Sequence, residues 1–443
     1  MNKDKIIELL AEWNFWDRKI DTGIPRKSYL SGFVRFVKTG KVVSVVGVRR
    51  SGKSTLMKQT AKELIKNGTS ANDILIVNFE EPQFESADLD FLIRIYQAYL
   101  EIIRPAKKPF LFLDEIQNVE KWEKFVRSIN EKKQAYIMVS GSSSKLLSEE
   151  LASVLTGRQI YFEVLPLSFR EFLKFRGIKS DSEKNRILNA LKIKRCLREY
   201  LRWGGFPEIV LNKDEEFKKR VLISYYQDII SRDIVQRFRI KKPDKLRTLV
   251  QYYLTNISSY ISFNRISKFI KLPVETVRRF SFYIENSFLV FFVKRFSYSV
   301  KEQENSARKV YSIDTGLHNA IGLKFSQDIG RLVENAVALK LRTMQRKYPF
   351  IEFFYWKSHH GDREVDFVVK EGRKVKELIQ VCWDISDAST EKREISSLLK
   401  AMKVFKLKQG FILTEDREDE IKIKNKKIIF KSLWKWLADE SNK

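Results

Sequence analysis

The sequence predicts an α/β protein in which a parallel sheet is followed by a helical region and then by a second α/β unit. The prediction depends on two changes in apolar periodicity. Short β-branched and aromatic runs alternate with amphipathic stretches up to about residue 165, the spacing is then helical, and strand-like segments return beyond residue 320. We therefore place domains at residues 1–165, 166–320 and 321–443.

The predicted elements follow these three regions in order. In the first region, strand-like runs cover residues 42–46, 74–78, 110–113 and 136–139. In the middle region, a Gly204-Gly205-Phe206-Pro207 break separates helices, and two later helices cover residues 263–270 and 274–286. In the last region, a helix over residues 330–347 precedes strands at 350–356, 365–369, 378–381 and 410–414.

The composition limits the class of protein and the sign of the charge that its partners carry. The 443 residues are 43% hydrophobic, which excludes a disordered or fibrous chain. A net charge of +28 favours polyanions such as nucleic acid or anionic lipid. Two cysteines, Cys196 and Cys382, exclude a disulfide framework and favour a reducing compartment. With no apolar run long enough for a signal peptide or a membrane span, we expect a cytoplasmic protein.

The segment Gly47 to Ser54 reads GVRRSGKS; it follows an apolar strand and opens a helical stretch. This is the P-loop pattern G-x-x-x-x-G-K-[ST] in its required context. Its glycines let backbone N–H groups wrap phosphates, its lysine reaches the β and γ oxygens, and its last hydroxyl ligates Mg²⁺. The first domain is therefore predicted to be a P-loop NTPase. The predicted phosphate-binding residues are Gly47, Arg49, Arg50, Ser51, Gly52, Lys53, Ser54 and Thr55.

A second acidic element supports the same site. The apolar strand at 110–113 ends in Asp114-Glu115, about 60 residues after the loop lysine. We expect Asp114 to support Mg²⁺ with Ser54, and Glu115 to activate the attacking water, which favours hydrolysis over static binding. An extra strand, residues 74–78, lies between the two elements. One serine of the run 140–144 is expected to contact the γ-phosphate or the water; we name Ser142, although the sequence does not decide among them.

This combination resembles the additional-strand, catalytic-glutamate branch of P-loop ATPases related to the AAA superfamily. The stretch from Thr156 to Phe172 and the leader segments Trp13 to Trp16 and Gly23 to Arg26 are similar to a group of prokaryotic, especially archaeal, ATPases. The resemblance implies ATP as the nucleotide and Arg158 as an arginine that completes the γ-phosphate site. It leaves open whether Arg158 acts within the chain or across the interface of a homo-oligomer. The leader tryptophans either lie near the adenine or serve as packing anchors.

The two helices at 263–270 and 274–286, with strand-like segments after them, resemble a winged helix-turn-helix. Residues 231–300 hold fourteen Lys and Arg against four Asp and Glu. We predict phosphate contacts to DNA, without base readout, because the second helix carries no suitable Asn or Gln pair. The alternative is a packing module. The candidate DNA contacts are Arg265, Lys268, Arg278 and Arg279.

The last domain resembles a PD-(D/E)xK nuclease, that is, a restriction-endonuclease-like α/β fold. The matching residues are Glu334 on the helix, Asp366 on one strand and Gln380 on the next, which the resemblance makes a second magnesium site. The match departs from the pattern because Gln380 replaces an acid and Cys382 replaces the lysine. An active nuclease, a degenerate binding domain and a scaffold all remain open.

Together these observations predict a magnesium-dependent ATPase whose nucleotide state controls DNA binding. One alternative is an ATP-gated DNA nuclease. Another is an ATP-dependent switch or scaffold for a protein partner.

Overall fold

The computed structural model describes residues 1–84, 87–142, 157–323, 329–359 and 361–439. The chain divides into two compact units, Met1–Val164 and Leu165–Lys443. The first predicted boundary, after residue 165, lies one residue from this division, and the second, after residue 320, falls inside the second unit. The three predicted domains stay a prediction. Among the described residues, no helix combines the length and the apolar character needed to cross a bilayer.

The first unit contains a five-stranded parallel sheet, as the alternation of apolar runs and amphipathic stretches predicts. Its strands are β1 (Val42–Val46), β2 (Ile74–Asn78), β3 (Phe110–Asp114), β4 (Tyr136–Gly141) and β5 (Gln159–Glu163). Its described helices are α1 (Lys3–Ala11), α2 (Lys27–Val37), α3 (Lys53–Lys66), α4 (Leu89–Ala98) and α5 (Trp122–Glu131). Short 3₁₀ or π turns cover Ala71–Asp73, Pro82–Phe84, Tyr99–Ile103 and Ile116–Asn118.

The strand order β2-β3-β4-β1-β5 determines which loops meet. The strand between β1 and β3 is β4, whereas β2, which precedes β3 in the sequence, is an edge strand. Because all five strands are parallel, the carboxyl ends of β1, β3 and β4 lie side by side. The residues that follow these three strands therefore face a common site, as ligand sites in open α/β sheets usually do.

Strands β1 to β4 are almost entirely buried on both faces, which explains their continuous apolar runs in the sequence. All five residues of β1 are buried, and the core is formed by the sheet with α2 and α3. Phe33, Leu56 and Phe112 are among its largest fully buried side chains. This packing fixes α3, and with it the loop that joins β1 to α3.

The leader packs on the edge strand β2. Asn14, only 1% exposed, donates to the carbonyl of Ile76 and accepts from its N–H, and Trp16 donates to the carbonyl of Ile74. Trp16 also stacks on Tyr99. These contacts make Trp16 a packing anchor, which is one of the two roles the sequence leaves open.

The second unit begins with helices and a small antiparallel sheet of order β6-β8-β7. Its helices up to residue 321 are α6 (Phe169–Phe175), α7 (Glu183–Leu188), α8 (Ala190–Trp203), α9 (Pro207–Leu211), α10 (Glu215–Asp228), α11 (Pro243–Thr255), α12 (Phe263–Ile270), α13 (Val274–Asn286), α14 (Val300–Asn305) and α15 (Thr315–Ile321), with a π-helical stretch at Ile229–Gln236. The strands are β6 (Ser259–Ile261), β7 (Val290–Val293) and β8 (Arg308–Ser312).

The unit ends in a six-stranded mixed sheet of order β13-β14-β12-β11-β10-β9. Its strands are β9 (Ile351–Lys357), β10 (Glu364–Glu371), β11 (Lys374–Val381), β12 (Gln409–Thr414), β13 (Asp419–Ile423) and β14 (Lys426–Ser432). Its helices are α16 (Ile329–Lys347), α17 (Ala388–Val404) and α18 (Leu433–Ala438). A second α/β region is confirmed here, and the nuclease-like assignment of this sheet stays a prediction.

Candidate functional site

The loop between β1 and α3 has a backbone that requires glycine. Gly47 has φ +147°, and a Cβ atom built on it would lie 2.2 Å from the carbonyl oxygen of Val164. Gly52, the residue before α3, has φ +95° in the left-handed region, and Arg50 lies there with φ +68°. The loop is therefore pressed against the end of β5 and turns sharply into the helix.

Lys53 is the first residue of α3 and is buried, with 4% of its surface exposed. Its Nζ atom donates to the carbonyl oxygens of Gly47 (3.2 Å) and Val48 (3.3 Å), so the ammonium lies within the curve of the loop. Ser51 is fully buried, and its Oγ has no hydrogen-bond partner. A buried cation, an orphaned hydroxyl and a helix N-terminus at one loop fit the phosphates of a nucleotide.

Two buried carboxylates follow β3 beside this loop. Asp114 accepts hydrogen bonds from the hydroxyls of Ser140 and Ser54. Burial and the adjacent Glu115 raise the pKa of Asp114 to about 6. The Oε1 atom of Glu115 lies 3.6 Å from the Nζ of Lys53. Burial raises the pKa of Glu115, but Lys53 and Gln117 outweigh it and hold that pKa below its usual value.

These residues also fit a magnesium ion in the manner of P-loop proteins. Ser54 and Asp114 are hydrogen-bonded to each other, so one hydroxyl and one carboxylate face the same point. In the described part of the chain, no group of three or more His, Cys, Asp or Glu side chains is placed to hold a metal ion. This donor set suits Mg²⁺, which protein sites bind through few side chains, with phosphate and water completing its shell.

Strand β4 contributes Ser140, and the residue after its end is Ser142, the only one of the two that the sequence singled out. The N–H of Ser142 donates to Oε2 of Glu115 (3.1 Å), and the hydroxyl of Ser140 bonds Asp114 and accepts from the N–H of Glu115. The parallel register pairs the residues before Asp114 and Ser140, which makes these two neighbours. Ser143 and Ser144 lie outside the described residues.

Arg49 and Thr55 lie at the margin of the loop. Arg49 forms an ion pair with Glu80, which follows β2 and which the sequence did not suggest. Arg49 also contributes to the low pKa of Glu115. Thr55 is exposed in the first turn of α3. The structure thus gathers every predicted phosphate-binding residue, with Asp114, Glu115 and Ser142, at one end of the sheet.

Comparisons with known proteins identify the first domain and the family of the chain. Residues 39–173 match the family model described as "AAA domain". An uncharacterized protein of Methanocaldococcus jannaschii, MJ1544, is 35% identical over 417 residues, covering 89% of this chain and 88% of that protein. The chain belongs to the family of MJ1544. Because the chain contains an AAA domain, this family is one of P-loop ATPases.

The rest of the chain matches domains whose function is unknown. Residues 194–328 and 329–434 match two models, each described as a domain of unknown function (DUF8612 and DUF4143). An uncharacterized protein of Haemophilus influenzae is 28% identical over 379 residues, covering 83% of this chain and 89% of that protein. Among solved structures, the Walker-type ATPase PABY2304 of Pyrococcus abyssi is 14% identical with a TM-score of 0.43, covering 70% of this chain and 99% of that one.

Arg158 does not belong to the AAA-domain site within the same chain. Its carbonyl accepts from the N–H of Val42, and the next residue, Gln159, pairs with Val42 at the start of β1. Arg158 therefore lies at the amino edge of the sheet, one strand length or roughly 16 Å from the P-loop. Its guanidinium pairs with Glu131 at 2.5 Å. This position does not fit a role at the γ-phosphate site of the same chain, and a role across the interface of a homo-oligomer stays a prediction.

The four candidate DNA contacts lie on two consecutive helices. Arg265 and Lys268 on α12 and Arg278 and Arg279 on α13 are all exposed. Arg278 lies over the ring of Phe263 (5.5 Å), with its Nε atom 3.7 Å from Glu275. Four exposed cations on adjacent helices favour contact with a polyanion, and their role in DNA binding stays a prediction.

The carboxylates of the predicted second magnesium site share one buried lysine. The Nζ atom of Lys309 on β8 lies 3.0 Å from Glu334 and 2.9 Å from Asp366, and Tyr311 donates to Glu334 at 2.7 Å. The Lys309 side chain is 3% exposed. Burial lowers its pKa, but the two carboxylates outweigh burial and hold the pKa well above its usual value. An ammonium therefore occupies the point between the carboxylates where a metal ion was expected.

Gln380 supports this cluster rather than facing a ligand. Its Oε1 accepts from the N–H of Asp366 (3.3 Å) and its Nε2 donates to Glu394 (2.6 Å). Cys382, at the expected lysine position, donates to the carbonyl of Asp384. The lysine that contacts Glu334 and Asp366 is therefore Lys309 on β8, which the sequence did not single out.

Proposed function

We propose that this protein binds ATP with Mg²⁺ at the P-loop of its AAA domain and hydrolyses it. The observation that carries the proposal is the convergence of Lys53, Ser54, Asp114 and Glu115 on one loop at the carboxyl end of a parallel sheet. A site that only bound nucleotide would not need a second buried carboxylate beside the lysine. Glu115 is therefore assigned to the chemical step.

Each residue has a separate task in this proposal. The backbone N–H groups of the loop and the ammonium of Lys53 bind the phosphates and offset their charge. Ser54 and Asp114 would hold the metal, and bound magnesium neutralises charge that develops on the phosphate oxygens. Glu115, ionised because its pKa is held low, orients the attacking water and accepts its proton. The N–H of Ser142 fixes the position of the Glu115 carboxylate.

We further propose that the nucleotide state governs binding of DNA by the second unit. Support comes from the four exposed cations on α12 and α13 and from the net charge of +28. Contact through phosphates predicts an affinity that falls steeply with rising salt. A nuclease function is not favoured by the geometry, because Lys309 already fills the space between Glu334 and Asp366.

The test is ATP hydrolysis by the purified protein with Mg²⁺, with and without duplex DNA at moderate salt. We expect hydrolysis that Lys53→Ala abolishes and that DNA stimulates. The stimulation should be lost in the double variant Arg278→Gln, Arg279→Gln. It should persist in Lys192→Gln, Arg195→Gln, which removes two exposed charges from α8.

Two results would separate the parts of this proposal. Hydrolysis that ignores DNA would reject the coupling and turn the search to a protein partner, while leaving the ATPase intact. Hydrolysis at the normal rate in Lys53→Ala would reject the site itself.

A further inference from the structure

Arg26, which ends the leader before α2, is a buried arginine directed at the P-loop. Only 4% of its surface is exposed. Its Nη1 atom donates to the carbonyl oxygen of Ser51 at 2.9 Å, and its guanidinium lies over the ring of Tyr29 at 4.7 Å. A buried guanidinium costs much free energy unless it is well paired, so a contact with a loop carbonyl at this depth is a specific one.

Gln59 on α3 holds the leader in the register that this contact needs. Its Nε2 donates to the carbonyls of Thr22 (2.7 Å) and Ile24 (3.0 Å), and its Oε1 accepts from the N–H of Arg26 (3.2 Å). Gln59 is itself 4% exposed. The backbone that carries Arg26 is therefore fixed to the same helix whose first turn forms the phosphate site.

The carbonyl that Arg26 binds shares a peptide plane with the N–H of Gly52. In a trans peptide the C=O and N–H point in opposite directions, so a bond that holds the Ser51 carbonyl toward the leader holds the Gly52 N–H away from it. Gly52 has φ +95°, a region in which glycine moves freely, so its peptide has little local restraint of its own. Backbone N–H groups of this loop are the donors that cradle the α- and β-phosphates.

We propose that Arg26 is a positioning residue that aims the Gly52 N–H at the bound phosphates. The inference rests on the proposed nucleotide site and adds to it a residue outside the P-loop motif. Lysine would serve poorly in this role, because it lacks the planar fork that donates to the carbonyl while stacking on Tyr29. Since ATP and ADP share the α- and β-phosphates, Arg26 should matter equally for both.

The test compares wild type, Arg26→Gln, Arg26→Lys and the control Arg35→Gln. Arg35 is exposed on α2 and also lies over an aromatic ring, that of Phe36, so its loss removes a comparable charge and stack without touching the loop. We measure the dissociation constants of Mg-ATP and Mg-ADP, KM and kcat. Arg26→Gln should weaken both nucleotides by the same factor, about tenfold or more, and raise KM by that factor. Its kcat at saturating ATP should stay within about threefold of wild type, because Glu115 and Lys53 are untouched.

The outcomes distinguish this inference from the proposed function. Arg26→Gln that binds both nucleotides as tightly as wild type would reject the positioning role, whereas a wild type that binds neither would reject the nucleotide site. A loss of folded protein with unchanged affinity in the folded fraction would make Arg26 merely structural and also reject the role. If Arg26→Gln does not fold, Arg26→Lys decides: weakened binding with normal thermal stability supports the role, and wild-type affinity rejects it.

Discussion

The ammonium nitrogen of Lys53 lies 3.6 Å from the Oε1 atom of Glu115, with both side chains almost fully buried. The same ammonium donates to two carbonyls of the loop. A bound γ-phosphate competes for this cation, because lysine has three donors and favours the strongest anion. The pair therefore links the phosphate-binding residue to the residue that we assign to water activation.

The close approach of Gly47 to Val164 predicts how much stability is lost when a methyl group is added at residue 47. Gly47→Ala places a Cβ 2.2 Å from a backbone oxygen that cannot move without β5, so we expect a loss of about 2–4 kcal/mol in the free energy of unfolding and loss of nucleotide binding. Gly40→Ala is the control, because Gly40 also has positive φ (+78°) but open space around it. It should cost only about 1–2 kcal/mol. Equal costs in denaturant titrations would show that the contact with Val164 is unimportant.

The ion cluster around Lys309 predicts a structural role. Lys309→Met leaves Glu334 and Asp366 buried without their shared cation, and breaking such a pair costs about 3–5 kcal/mol. The loss should appear in chemical unfolding of the second unit, while Lys301→Met, at an exposed position, should change stability by less than about 0.5 kcal/mol. A Lys309→Met protein as stable as wild type, or wild-type protein stabilised by Mg²⁺ at this cluster, would contradict the assignment.

Asp314 predicts a pH dependence of stability. It is buried and accepts from the N–H groups of Gly205 (2.6 Å) and Gly316 (2.8 Å), and burial raises its pKa to about 7 although both bonds lower it. The unfolded pKa is about 4, so between about pH 4 and pH 7 the folded state binds more protons. The stability of wild type relative to Asp314→Asn should therefore fall as pH rises through this window and level off above about pH 8.

Asp314 directly precedes helix α15, and a second aspartate that directly precedes a helix provides the control for that measurement. Asp387 is exposed at the start of α17, and hydrogen bonds from Ser389 and Thr390 lower its pKa to about 2. Its contribution to stability is lost only as pH falls below about 4, so Asp387→Asn should show a constant difference from wild type between pH 5 and 8. A flat profile for Asp314→Asn over the same range would refute the raised pKa.

Local patterns located the nucleotide site because its residues follow strands that the sequence marks clearly. The P-loop and Asp114-Glu115 each adjoin a continuous apolar run, and parallel strands bring such ends together. The role of Ser140 depends on β4 lying between β1 and β3, which is a property of strand order rather than of local sequence. Arg158 lies at the opposite edge of the sheet from the P-loop because it precedes its strand, and a parallel strand places its preceding residue there.

Long-range packing explains what else the sequence did not indicate. Lys309 meets Glu334 and Asp366 from 25 and 57 residues away, through contact of three separate elements. The antiparallel pair of β13 and β14 was also missed, since its many Lys residues obscure the alternation of Ile421 and Ile423 with polar neighbours. The AAA domain and its parallel sheet are confirmed, and the winged-helix and nuclease-like assignments remain predictions.

Replacing Glu115 with glutamine tests whether this residue activates the attacking water. Glu115→Gln keeps the size and the hydrogen bond from Ser142 but cannot accept a proton. The measurement is Mg-ATP affinity together with phosphate release in a single turnover. Gln117→Glu is unsuitable as a control, because Gln117 contacts Glu115 directly. We expect ATP binding within about threefold of wild type and hydrolysis slowed by about 10²-fold or more. Hydrolysis at the wild-type rate in Glu115→Gln would show that Glu115 does not activate the attacking water.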